Sequence, residues 1–123
     1  MKIEVSIGEI VDKLSILKIK KTNISDTTKL ENVLKEYNYL YDIVFNELKI
    51  SENDFFNLVL INEKLWDIED KLRDKERDKS FDNDFTELAR SVYFTNDKRA
   101  KIKKEINIKY GSLFVEEKSY KQY

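Results

Sequence analysis

Asn62, Trp66, Glu69, Arg73 and Glu76 recur every three or four residues along a stretch that also holds the one Trp of the chain. On a helix that spacing lines them up along one flank. An amide, an indole, a guanidinium and carboxylates on one strip are suited to recognising an anion. The Arg fork makes paired charge-assisted bonds, and the indole stacks on a planar ring. Lys outnumbers Arg 19 to 4, so an ordinary surface cation is written here as Lys. The four Arg (Arg73, Arg77, Arg90 and Arg99) therefore mark candidate sites for a planar donor, with drift as the plain alternative, above all for Arg77 in its run of charges. Two acidic pairs add a second chemistry: Glu9 with Asp12, and Glu69 with Asp70. Mg²⁺ takes one or two carboxylates plus phosphate oxygens, so these four are the candidate metal ligands and catalytic groups. The candidate ligand-binding set is Lys13, Lys18, Asn62, Trp66, Arg73, Arg90, Tyr93, Arg99 and Lys103.

Composition narrows the chemistry further. With no His and no Cys, neither a His-assisted hydrolase nor a thiolate nucleophile is available, and a zinc site would be carboxylate-only. A net charge of −1 with mixed signs gives no basic field for wrapping nucleic acid, so no nucleic-acid partner is expected. No apolar run reaches the roughly 18 residues of a membrane span, and the N-terminus lacks the pattern of a secretory signal. Cytoplasm is the expected compartment, with no membrane partner.

The elements that must position these groups are helices. Zero Pro and only Gly8 and Gly111, in a chain 38% charged and 41% hydrophobic, favour long amphipathic helices. A single all-α domain over 1–123 is expected: an antiparallel bundle of about five helices with a docked C-terminal tail. Ser6-Ile-Gly-Glu9 reads as a capping box opening the first helix near Ile7, on Ile7, Ile10, Leu14 and Leu17. Ile16 and Ile19 lie on its other side, so it is covered on two faces, and Asp12 and Lys18 then need a partner or a ligand. Glu9 and Lys13 read as a surface ion pair. Ser25 or Asp26 caps the second helix, which runs to about Leu48 with Tyr37 and Tyr41 read as core. Ser51 to Asp54 opens the third, with its seam on Leu58, Ile61, Leu65, Ile68 and Leu72, fading in the charge run 73–79. A short fourth helix on Phe85, Leu88 and Val92 ends near Phe94. Thr95 then caps a fifth, which buries Ile102, Ile106 and Tyr110, carries Asn96, Arg99, Lys103 and Asn107 along one edge, and stops at Gly111. Leu113, Phe114, Val115 and Tyr120 predict that the tail docks.

Residues 5–20 (VSIGEIVDKLSILKIK), 65–73 (LWDIEDKLR), 85–100 (FTELARSVYFTNDKRA) and 117–120 (EKSY) together resemble an uncharacterised family of small helical bacterial and phage-borne proteins. The resemblance covers nearly the whole chain and implies no activity. It singles out Glu9, Asp12, Lys13, Lys18, Asn62, Trp66, Glu69, Asp70, Arg73, Arg90, Tyr93, Asn96, Asp97, Arg99 and Lys118. Separately, the acidic pairs loosely resemble those of all-α nucleotide pyrophosphohydrolases, although only Glu9-x-x-Asp12 has the family spacing. A metal-free site for a dicarboxylate, as in helical chorismate mutases, is a further variant.

Two functional readings stay open at this level. One is a polar inter-helix site for an anionic or phosphorylated small molecule, with Mg-dependent hydrolysis as its catalytic form. The other is a protein–protein interaction or homo-oligomerisation module whose polar stripes are structural ion pairs that fix register.

Overall fold

Each helix starts where a short polar side chain can take up a free first-turn amide. Ser6 accepts from the Glu9 N–H, Asp26 from Lys29, Ser51 from Asp54 and Asp82 from Phe85. The computed structural model describes residues 1–123 and holds four helices and no strand: α1 (Ile7–Asn23), α2 (Thr27–Asp42), α3 (Glu52–Arg77) and α4 (Asn83–Lys109). A π turn, Ile43–Glu47, prolongs α2. α4 ends as the sequence predicts: Gly111 takes φ +67°, and the Ser112 amide bonds back to the Asn107 carbonyl.

Four helices replace the expected five. The break predicted at Thr95 is absent, and Thr95 is 2% exposed in the middle of a helix about 40 Å long. Thr-Asn-Asp resembles a cap. However, with no Gly or Pro between 83 and 109 the only penalty is the few tenths of a kcal/mol of a β-branched residue, and burial of Thr95 decides for continuity. The capping box is half made, because the Glu9 side chain turns to Lys103 and not to the cap amide. Nor do Glu9 and Lys13 pair; Lys13 pairs with Glu36 of α2. Tyr37 is core and carries the Lys21 ammonium over its ring, whereas Tyr41 stays largely exposed.

Pairing across the bundle sets its topology. α4 runs antiparallel to α1, joining Gly8 to Asn107 and Glu9 to Lys103, and antiparallel to α3, joining Asp54 to Lys109 and Lys75 to Asp82. α1 touches all three other helices, while α2 is laid against α1. Val11, Leu14, Leu17, Tyr37, Val44, Ile50, Phe55, Leu58, Val59 and Ile106 form the core around α1. No helix is long and apolar enough to cross a membrane.

Two contacts bring α4 close to its neighbours. The Gly8 amide donates to Asn107 Oδ1 at 2.6 Å, and a Cβ on Gly8 would stand 2.6 Å from the Lys103 carbonyl oxygen. That oxygen is backbone and cannot move without shifting α4. Gly8→Ala is therefore expected to cost about 1–3 kcal/mol in urea denaturation, although alanine is the better helix former.

At the other contact, Tyr110 Oη accepts from the Ser51 amide (3.0 Å) and donates to Asp54 (2.6 Å), which also accepts from Lys109 (2.8 Å). The Lys109 bond first, and the Tyr110 bond second, hold the Asp54 carboxyl below its ordinary range. A depressed carboxyl contributes stability that is full above the unfolded value, about 4, and is lost as pH falls through the folded one. Tyr110→Phe is thus expected to cost about 1.5–3 kcal/mol at pH 7 and progressively less below pH 4, read by denaturation at both ends of that range.

Candidate functional site

A polar residue in a helix covered on two faces must find its partners across the bundle. Asp12, only 3% exposed, accepts from Asn62 Nδ2 at 2.8 Å, and the same amide nitrogen lies 2.7 Å from Ser15 Oγ. Ser15 in turn donates to the Asp12 carbonyl oxygen. On the α4 side, Arg99 Nη1 donates to Asn62 Oδ1 at 3.3 Å, and Arg99 Nε lies 3.9 Å from Asp12 Oδ1. Lys103, 8% exposed, donates to Glu9 at 2.7 Å and stands 3.8 Å from Asp12 and 3.7 Å from Glu116 of the tail. One polar layer thus joins α1, α3 and α4 near their middles.

The α4 side of this layer, Arg99 and Lys103, lines a cleft of about 430 Å³. Arg99 and Lys103 stand at its base; Tyr93, Asn96 and Asp97 line one side, and Glu116, Lys118, Tyr120 and Tyr123 of the tail close it. Tyr120 donates to Asp97 at 2.6 Å, and that hydrogen bond to a carboxylate pushes its phenol up to about 12. Tyr123 lies against the Tyr93 and Phe94 rings, at 5.1 and 5.2 Å. Lys118 bonds to Glu116. That bond first, with the charge of Lys103 also contributing, holds the Glu116 carboxyl below its ordinary range.

Arg99 is the least satisfied cation at the cleft floor. One hydrogen bond uses one of its five N–H groups, and its side chain is 30% exposed. No side-chain polar atom in the chain is both buried and unpartnered. Nε faces Asp12, and the guanidinium donors left without a partner are therefore not buried, on a side chain that lines the cleft.

The candidates from the sequence divide by place. Glu9, Asp12, Asn62, Arg99 and Lys103 meet in the layer, with Tyr93, Asn96, Asp97 and Lys118 at the cleft. Trp66 and Lys18 come together elsewhere, lining a separate cleft of about 240 Å³ between α1 and α3. Arg73 does not reach the layer; it lies about 16 Å along α3 from Asn62, with Glu69 and Asp70 of its own helix as partners. Arg90 pairs with Glu87 beside the Phe94 ring. The four-carboxylate metal set is not assembled: Glu69 and Asp70 stay with Arg73, and no three acidic side chains converge on a metal position.

Ser15, Glu116, Tyr120 and Tyr123 were not predicted as site residues. Ser15 had a signal, since it stands between Leu14 and Ile16 on a helix apolar on both sides. Tyr120 had a partial signal as one of the residues read as docking the tail, whereas Glu116 and Tyr123 had none, because their place depends on the path of an irregular segment.

A family model matches residues 1–123 and is described as a family of unknown function, DUF6165. The chain belongs to that family. No curated protein and no solved structure matches it. Membership in DUF6165 agrees with the resemblance to an uncharacterised family over nearly the whole chain, shows no bacterial or phage origin, and assigns neither activity nor ligand.

Asp12→Ala removes a buried carboxylate and strands Asn62, Arg99 and Lys103, so a loss of about 3–5 kcal/mol is expected. Arg73→Met, at a mostly exposed residue, is expected to stay within about 0.5 kcal/mol of the wild type. Chemical denaturation of the two variants side by side checks the division between layer and surface.

Proposed function

We propose that this DUF6165 chain binds a small anionic molecule, carrying a phosphate or carboxylate, in the cleft above Arg99 and Lys103. The observation that carries the reading is the Arg99 guanidinium, which lines the cleft with Nη1 bonded to Asn62 and Nε facing Asp12, and whose remaining N–H groups are neither bonded nor buried. A fixed fork with free donors presents a bidentate site at little ordering cost. Tyr93, Tyr120 and Tyr123 at the rim offer faces for a planar ring on the same ligand.

The reading is of binding without hydrolysis. Glu69 and Asp70 lie about 10–12 Å along α3 from Asn62, so a metal-held water would lack half of the carboxylates assigned to it. The second reading, self-association, has one observation in its favour: Phe56 and Leu60, one turn apart on α3, are each about half exposed. Scattered apolar residues are ordinary on protein surfaces, and this pair carries less weight than the open guanidinium.

A thermal-shift panel of inorganic phosphate, pyrophosphate, nucleotides, sugar phosphates and dicarboxylates, with and without Mg²⁺, tests the proposal. A ligand at 100 times its Kd adds about 2.7 kcal/mol, a shift of several degrees for a domain of this size. The expected result is stabilisation of the wild type and of Arg73→Gln, with none of Arg99→Gln. Equal shifts in wild type and Arg99→Gln, or no shift with any member, overturn it.

A further inference from the structure

Residues 113–123 are all exposed, form no helix, and are held almost entirely by side-chain polar contacts. The Lys104 ammonium sits 3.0 and 3.1 Å from the two Glu117 oxygens, Tyr120 bonds to Asp97, and only Tyr123 adds an aromatic contact. Exposed ion pairs are each worth little, so this segment is attached by contacts that a ligand can outcompete. Its one carboxylate at the cleft floor is Glu116, 3.7 Å from Lys103 Nζ. Lys103 already holds Glu9 at 2.7 Å and is nearly buried, so Glu116 takes the side of the ammonium that faces the cleft.

We propose that the C-terminal segment is a self-competing strap: the Glu116 carboxylate occupies, in cis, the place beside Lys103 that the anionic group of a ligand takes. The inference rests on the anion-site reading above. Entry of a ligand exchanges one carboxylate for another anion at Lys103, then breaks the weak outer contacts of Glu117 with Lys104 and of Tyr120 with Asp97 and lifts the segment from α4. The strap has a selective effect as well as a blocking one. A ligand bearing a single weak charge does not displace an anion tethered alongside, whereas one that engages Arg99 and Lys103 together gains a contact that Glu116 lacks, since Glu116 pairs with Lys103 and Lys118 and not with Arg99.

Pyrophosphate is the probe, titrated by calorimetry into the full-length wild type, Glu116→Gln, Tyr120→Phe, Arg99→Met and the exposed charge control Glu105→Gln. Trypsin cleavage after Lys118 and Lys121 reports the position of the strap independently of affinity. Glu116→Gln and Tyr120→Phe are expected to bind pyrophosphate roughly five- to tenfold tighter than wild type, Glu105→Gln to match wild type, and Arg99→Met to lose binding. Pyrophosphate is expected to speed cleavage of the wild-type strap, and Tyr120→Phe to be cleaved faster without it. If binding depends on Arg99 but Glu116→Gln is no tighter, if Glu105→Gln tightens it as much, or if cleavage ignores pyrophosphate, the strap is overturned and the anion site stands. If neither wild type nor Glu116→Gln binds pyrophosphate, the anion-site reading fails along with it.

Discussion

The rest of the bundle depends on one buried carboxylate. Asp12 projects from the helix that touches every other helix, and a carboxylate removed from water must be given donors or it destabilises the fold by several kcal/mol. Asn62 supplies a hydrogen bond from α3, and Arg99 and Lys103 bring positive charge from α4. Sliding either helix by one residue breaks that set, which makes the layer a register lock for three helices at once. Gly8 adds the steric half of the constraint, since only a residue without a Cβ lets α1 come so close to the α4 backbone.

A register lock and a ligand site are usually argued as alternatives. On the proposed function one set of residues serves as both, divided by depth. Asp12, Ser15 and Asn62 are buried and mutually satisfied. Arg99 and Lys103 reach from these residues to the cleft: Arg99 bonds to Asn62, and the Lys103 ammonium stands between Glu9, Asp12 and Glu116 of the tail. A guanidinium fixed at one edge by a structural bond and open at the others is preorganised, because the ordering of its long side chain was accomplished in folding. The same economy gives the tail its place in the proposal: Glu116 brings a second carboxylate to Lys103, 3.7 Å away, beside the 2.7 Å bond to Glu9.

The apolar seams, the four helix starts (Ser6, Ser25 or Asp26, Ser51, and the Asp-Asn-Asp run between Phe81 and Phe85), the Gly111 stop and the all-α class were legible because they depend on local periodicity and capping. The helix count failed at Thr95, where a local cap signal competed with burial that no local pattern reports. The candidate site was legible in part. Asp12 announced itself as a charge on a doubly covered helix, and Asn62, Arg99 and Lys103 as polar residues beside apolar seams. Arg73 shares the strip of Asn62 in sequence yet parts from it in space, because a straight helix carries residues eleven apart well beyond one cleft, while Trp66, one turn from Asn62, lines the separate cleft between α1 and α3.

The sequence by itself determined which residues lie on which helix face, because a period of 3.6 turns spacing directly into direction. Tertiary structure alone decided which faces meet. The antiparallel course of α4 along α1 and α3 brings Arg99 to Asn62 and Lys103 to Glu9, 37 and 94 residues apart in the chain. It also decided that an irregular tail, whose contacts follow no repeat, closes over both cations. Pairings at such separations depend on loop paths and packing depth, and neither is encoded in the spacing of residues along one helix.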